Sequence, residues 1–94
     1  MTTPPVPAAV EASILSLTAA RGPGKSICPS EVARALWSGP PGDGWQAFLT
    51  PVRAAAVRLA RAGQVDILRK GQRVDPGAVK GVIRLRQAQP AAPL

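Results

Sequence analysis

Residues 50–68, TPVRAAAVRLARAGQVDIL, decide the fold because their apolar periodicity changes once, at Gly63. Before Gly63, apolar residues recur three and four positions apart, as on the buried stripe of a helix. The opening Thr-Pro pair suits a helix cap followed by a first-turn proline. After Gly63, Val65 and Ile67 alternate with polar residues, which is typical of a half-buried strand. The stretch therefore predicts a helix that ends at Ala62 and is followed at once by a strand.

Two more helices and a second strand are predicted around this stretch. The first helix runs from about Ala8 to Arg21, because apolar residues keep helical spacing until a Gly-Pro pair stops it. The second helix begins at Pro29, since proline suits the first helical position, and Cys28 is its cap. The other predicted features are a short strand at Ser26-Ile27, turns at Lys70-Gly71 and Asp75-Pro76, and a strand at Val82–Arg86.

This order of helices and strands is that of a winged helix-turn-helix domain. The predicted fold is mainly α, with a three-helix core and a small β-hairpin, the wing. Residues 8–87 form the domain, and the proline-rich tails at residues 1–7 and 88–94 are predicted to be disordered. The connection at residues 38–44 is longer than the usual turn of about 3–4 residues. We therefore expect the third helix to depart from the standard docking angle.

The residue inventory argues against an enzyme. The chain has no histidine, so neither a Ser-His-Asp nor a Cys-His arrangement can form within it, and a zinc site would depend almost entirely on carboxylates. Each of its five carboxylates falls in the first turns of a helix, before a turn or on a strand, where it has a structural role, and no pair is arranged for acid–base chemistry. We expect no enzymatic activity, no cofactor and no metal.

Cysteine content and hydropathy indicate the compartment. Cys28 is the only cysteine, which excludes an internal disulfide and favours a cytoplasmic location. The apolar stretches are interrupted too often by Pro, Gly and charged residues to span a membrane, so no membrane partner is expected.

The positive charge is confined to one half of the chain. In residues 1–47 three basic residues balance three acidic ones, whereas residues 48–94 carry nine Lys or Arg against two Asp, which accounts for the whole net charge of +7. The basic half contains the third helix and the wing, the two elements that form one surface in a winged helix. Such segregation favours a polyanionic partner, and we expect double-stranded DNA.

The predicted DNA-binding residues belong to the third helix and the wing. Helix arginines would enter or straddle the major groove and can contact guanine, while wing residues hold phosphates. The predicted set is Arg53, Arg58, Arg61, Lys70, Arg73, Arg84 and Arg86.

A protein–protein interaction module is the alternative. Helical periodicity places Ala54, Val57 and Arg61 on the outward face of the third helix, where a DNA-reading helix usually carries polar side chains. A small apolar centre ringed by arginines suits an acidic protein partner equally well. The same face, or the first helix, could pair two copies of the chain into a dimer.

The motif ICPSEVAR at Ile27 to Arg34 is similar to the start of the second helix in a small bacterial family of uncharacterised winged-helix proteins, a domain of unknown function. The resemblance covers roughly residues 10–87. It continues through Val52-Arg53, Leu59, Gly63, Lys70-Gly71, Val74-Asp75, Gly81 and the run Ile83-Arg84-Leu85-Arg86. The resemblance implies the winged-helix fold and says little about activity.

Overall fold

The change of period at Gly63 separates a helix from a strand, as predicted. Helix α3 is Leu49–Arg61 and strand β2 is Val65–Arg69. The prediction that Thr50 caps this helix is wrong: α3 begins at Leu49 with Phe48 at the cap position, because a 3-10 helix at Gly44–Phe48 leads into it without a break. The apolar stripe of α3 lies in the core, and β2 continues the chain onto the sheet.

The computed structural model describes residues 5–88, so most of the predicted disordered tails, 1–7 and 88–94, lies outside the described residues. The other elements are α1 (Pro7–Arg21), β1 (Ser26–Ile27), α2 (Pro29–Leu36), β3 (Gln72–Arg73), a 3-10 turn (Pro76–Ala78) and β4 (Arg84–Gln87). Three helices and a small antiparallel sheet in this order confirm the winged-helix prediction. None of the helices formed by the described residues is long and apolar enough to cross a membrane.

The sheet has four strands in the order β1-β4-β2-β3. A two-residue turn joins β2 to β3, with Lys70 at φ 52° and Gly71 at φ 79°. Positive φ at both turn residues is the geometry that joins twisted antiparallel strands without splaying them. The predicted second strand, Val82–Arg86, is shorter than expected: β4 begins only at Arg84, and Val82 lies before it with 84% of its surface exposed.

The wing is therefore not a simple two-stranded hairpin. Between β3 and β4 the chain runs back beside α3 through residues 74–83, which we term the return segment. Its 3-10 turn contacts α3, and Asp75 caps this turn by accepting a hydrogen bond from the Gly77 N–H at 2.8 Å. Val74 and Val79 are partly buried against the core. Folding back in this way places the return segment along one flank of the helix.

The core lies between the three helices and one face of the sheet. Ile67 and Leu85 are paired across β2 and β4, and both are buried, as is Ile27 of β1. The helices contribute Val10, Ile14, Val32, Ala33, Val52, Ala55, Ala56 and Leu59. Strand alternation then directs Arg84 and Arg86 to the opposite face of the sheet.

The start of α2 is held by a capping interaction in which Cys28 takes the unusual cap position. Pro29 occupies the first helical position, and the Cys28 N–H donates to Glu31 Oε2 at 2.7 Å. Glu31 also forms an ion pair with Arg21 at the end of α1. The hydrogen bond from Cys28 and the charge of Arg21 lower the pKa of the Glu31 carboxyl from its ordinary value of 4.5, against the opposing effect of burial.

Replacing Glu31 with glutamine is expected to remove part of the acid sensitivity of the fold. Because the folded-state pKa of Glu31 is lowered, ionised Glu31 stabilises the fold above the ordinary pKa of 4.5, and this contribution is lost as pH falls through the folded value. The difference in unfolding free energy between wild type and Glu31→Gln, measured in urea from about pH 7 downward, should therefore shrink below pH 4.5. A difference that stays constant with pH would mean that Glu31 acts only as a hydrogen-bond acceptor, a role glutamine keeps.

Trp37 organises the long connection between α2 and α3. Its indole Nε1 donates to the Pro40 carbonyl at 2.9 Å, and its ring meets Phe48 edge-on, with 5.5 Å between centroids. Gly39 and Gly44 lie so close to the indole that a Cβ at either position would overlap the ring. The connection therefore wraps around a single aromatic side chain.

Candidate nucleic-acid interface

The outward face of α3 is narrower than the sequence predicts. Ala54 and Arg61 are exposed, as expected. The prediction for Val57 is wrong: its side chain is expected on the outward face, but it is half-buried and packs against the core. Val57 lies one helical turn from Arg53 and from Ala60, so it is directed toward the side of α3 that the return segment lies beside. Of the two apolar residues expected at the centre of a protein interface, Ala54 is therefore exposed and Val57 is not.

Two of the three predicted arginines of α3 are directed to its flanks. Arg58 reaches α1, where its Nη2 lies 3.3 Å from Glu11 Oε2. Arg53 reaches the other flank, where its Nη1 donates to the Gly81 carbonyl at 3.0 Å. Only Arg61, at the end of the helix, has no partner among residues 5–88.

The outer face of the sheet holds a buried acid that compensates two predicted cations. Asp66 pairs with Arg86, its partner across β2 and β4, at 2.8 Å, as strand pairing predicts. Arg73 Nη1 lies 3.8 Å from the other oxygen of the same carboxylate. Because the Asp66 side chain is only 7% exposed, these contacts are partly screened from solvent. Arg73 and Arg86 therefore share the negative charge of Asp66.

Arg84 lies on the same outer face but bonds to β1. Its Nε donates to Ser26 Oγ at 2.7 Å, and its Nη2 donates to the Ser26 carbonyl at 3.0 Å. The side chain remains exposed, and it borders a groove of about 410 Å³ near the Lys70-Gly71 turn, whose lining includes Leu68 and Val82. Arg84 thus keeps its charge at the rim of this groove.

Two arginine side chains meet where the end of β2, the return segment and α3 come together, and two lysines are their neighbours in the chain. Gly81 is the meeting point: Arg53 donates to its carbonyl, and the Arg69 guanidinium lies 3.5 Å from where a Cβ on Gly81 would stand. Lys70 follows Arg69 in the turn, and Lys80 precedes Gly81 in the return segment. We term this set, Arg53, Arg69, Lys70 and Lys80, the turn cluster.

No residue of the turn cluster has an acidic partner among residues 5–88. The ion pairs found within residues 5–88 involve Arg21, Arg58, Arg73 and Arg86, and none involves the turn cluster. Lys70 and Lys80 are exposed, and Arg53 and Arg69 are half-exposed. The cluster therefore presents four uncompensated positive charges on adjoining loops and a helix flank.

The structure brings together only part of the predicted DNA-binding set. Arg53 and Lys70 belong to the turn cluster, Arg84 lies at its edge, and the other four lie elsewhere. Arg69 and Lys80 are additional members that the predicted set lacks. The sequence contains a signal for the two lysines of the cluster, since Lys70-Gly71 and Lys80-Gly81 are the two Lys-Gly pairs of the basic half.

The described residues contain no cluster of side chains that could hold a metal ion. Within residues 5–88 there is no group of three or more His, Cys, Asp or Glu side chains that could hold a metal ion. Asp66, the most buried carboxylate of this region, forms ion pairs with Arg73 and Arg86. The four cations of the turn cluster are hydrogen-bond donors, which suits a ligand rich in anionic oxygen atoms.

Comparison with known families agrees with the resemblance expected from the sequence. Residues 7–88 match the model of a family described as a protein of unknown function, DUF3253. The match begins with α1 and ends just after β4, so it spans every helix and strand described above. No curated protein matches the chain.

Proposed function

Because this chain belongs to the DUF3253 family, whose description names no function, we propose from its geometry that the protein binds double-stranded DNA by placing the turn cluster on backbone phosphates. The observation that carries the proposal is that Arg53 and Arg69 meet at Gly81, with Lys80 next to Gly81 and Lys70 next to Arg69 in the chain. None of these four cations has an acidic partner among the described residues.

The chemistry of these side chains supports phosphate binding. Arginine and lysine form the charge-assisted hydrogen bonds that dominate contacts between proteins and the DNA backbone. The net charge of +7 adds a long-range attraction for any polyanion, which raises the rate of encounter. The wing and the flank of α3 supply the contacts together, so no single element has to reach around the duplex.

The salt dependence of duplex binding tests this proposal. If the turn cluster neutralises about four phosphates, the logarithm of the affinity should fall with the logarithm of salt concentration at a slope near −3.6. This slope corresponds to roughly a 150-fold loss of affinity between about 50 and 200 mM salt. Fluorescence anisotropy of a labelled duplex gives both values.

Binding no tighter than millimolar at the lower salt concentration would contradict the proposal. An acidic protein is the alternative partner, because the same cations would attract its carboxylates. A purified duplex contains no protein surface, so salt-dependent binding to it distinguishes DNA from that alternative.

A further inference from the structure

We infer that α3 does not enter the major groove and that the protein binds duplex DNA independently of base sequence. This inference rests on the proposed function, because it specifies how the turn cluster meets the duplex.

Two contacts place the return segment beside α3. Its 3-10 turn packs against the helix, and Ala60, near the end of α3, lines an open cleft of about 580 Å³ together with Val74 and Pro76. Nearer the start of α3, Arg53 is bonded to the Gly81 carbonyl. The return segment therefore lies beside one flank of the helix at both levels.

The return segment leaves little room for α3 in the groove. A helix with its side chains is about 10–12 Å across, and the major groove of B-DNA is about 12 Å wide, so it admits one helix and little else. A chain beside the helix adds at least about 5 Å, the closest spacing of neighbouring backbones in a sheet. The helix and the return segment together are therefore wider than the groove.

The helix face that remains exposed is poor in groups that distinguish bases. Specific contacts in the major groove are made by Arg or Lys to guanine and by Asn or Gln to adenine. Arg53 and Arg58 are bonded to the two flanks, so Thr50, Ala54 and Arg61 make up most of the outward surface. One arginine at the last turn cannot read a site of several base pairs.

The turn cluster, in contrast, lies beside the helix and not on its outward face. Lys70 and Lys80 are carried by adjoining loops, and their amines can each approach a phosphate without any insertion into a groove. Contacts of this kind position a protein on DNA and carry no sequence information. The duplex therefore rests against the return segment and the β2–β3 turn.

Two measurements test the inference on the full-length protein. Dissociation constants for unrelated duplexes of equal length should agree within about threefold, whereas specific binders prefer their sites by about 10³-fold or more. A duplex whose cytosines carry glucosylated hydroxymethyl groups, which fill the major groove, should bind equally well. The variant Ala54→Leu, which enlarges the exposed centre of α3 without changing charge, should keep the wild-type affinity within about twofold; leucine is a good helix former, so the fold is retained.

The results of these measurements distinguish a failure of sequence-independent binding from a failure of DNA binding itself. A preference above about tenfold for one sequence, or a similar loss on filling the groove or enlarging residue 54, would overturn the inference and leave DNA binding intact. The absence of salt-dependent binding to every duplex would overturn both. Equal binding to all duplexes with a steep salt dependence supports both.

Discussion

Replacing Lys70 and Lys80 together with glutamate is expected to weaken duplex binding by about 100-fold. Each replacement removes one phosphate contact and sets a negative charge against the DNA, a change of about 1.4 kcal/mol, or tenfold, per residue. Both side chains are exposed, and neither forms an ion pair within residues 5–88, so the fold should be unaffected. Anisotropy titrations at low salt give the ratio of dissociation constants.

Lys25 provides a matched control for these charge reversals. It is exposed in the turn before β1, next to Ser26, whose partner in the sheet is Arg86. Lys70 lies beyond the other end of β2, so the two lysines occupy opposite ends of the sheet. Lys25→Glu makes the same charge change and should weaken binding by less than about twofold, as expected for a charge more than a Debye length of about 8–10 Å away. An equal loss from Lys25→Glu and Lys70→Glu would show that net charge, and not the turn cluster, determines binding.

Replacing Asp66 with alanine is expected to lower the free energy of unfolding by about 3 kcal/mol. The carboxylate is 7% exposed and its closest partner, Arg86, is 22% exposed, so the variant leaves a largely buried guanidinium without its counter-charge. A domain of this length has a total stability of about 5–14 kcal/mol, and the loss is a large share of it. Urea denaturation followed by circular dichroism measures the change.

The ion pair between Glu11 and Arg58 is the appropriate comparison. It also joins distant parts of the chain, but its Arg58 side chain is 45% exposed. Solvent-exposed pairs contribute about 1 kcal/mol or less, so Glu11→Ala should cost far less than Asp66→Ala. If both variants lost the same stability, burial would not be the cause of the Asp66 effect.

The helices and the α3–β2 junction could be predicted because their signals are local. The stop after Arg21, the proline start of α2 and the change of period at Gly63 all act through neighbouring residues, and each is present in the structure. That Asp66 pairs with an arginine of the neighbouring strand could also be predicted, whereas the choice of Arg86 follows from the register of β2 and β4.

The packing of the return segment against α3 could not be predicted. The Asp75-Pro76 pair predicts the turn that is present at Pro76–Ala78, but its contact with the helix joins distant parts of the chain. Ile83 continues the apolar alternation with Leu85 and is buried, whereas Val82 lies before β4 and is exposed. The partial burial of Val57 could not be predicted either, since periodicity gives the angle of a side chain around a helix but not what lies against that flank. The approach of Glu11 to Arg58, across 47 positions of the chain, likewise depends on how α1 and α3 pack.

The indole of Trp37 restricts which residues can occupy positions 39 and 44. With tryptophan at 37, any side chain at 39 or 44 would have to occupy the space of the ring. A family member with alanine at either glycine should therefore carry a smaller residue in place of the tryptophan, and a smaller residue there frees both glycines to vary. These three positions are expected to diverge as a unit, while the exposed residues between them change independently.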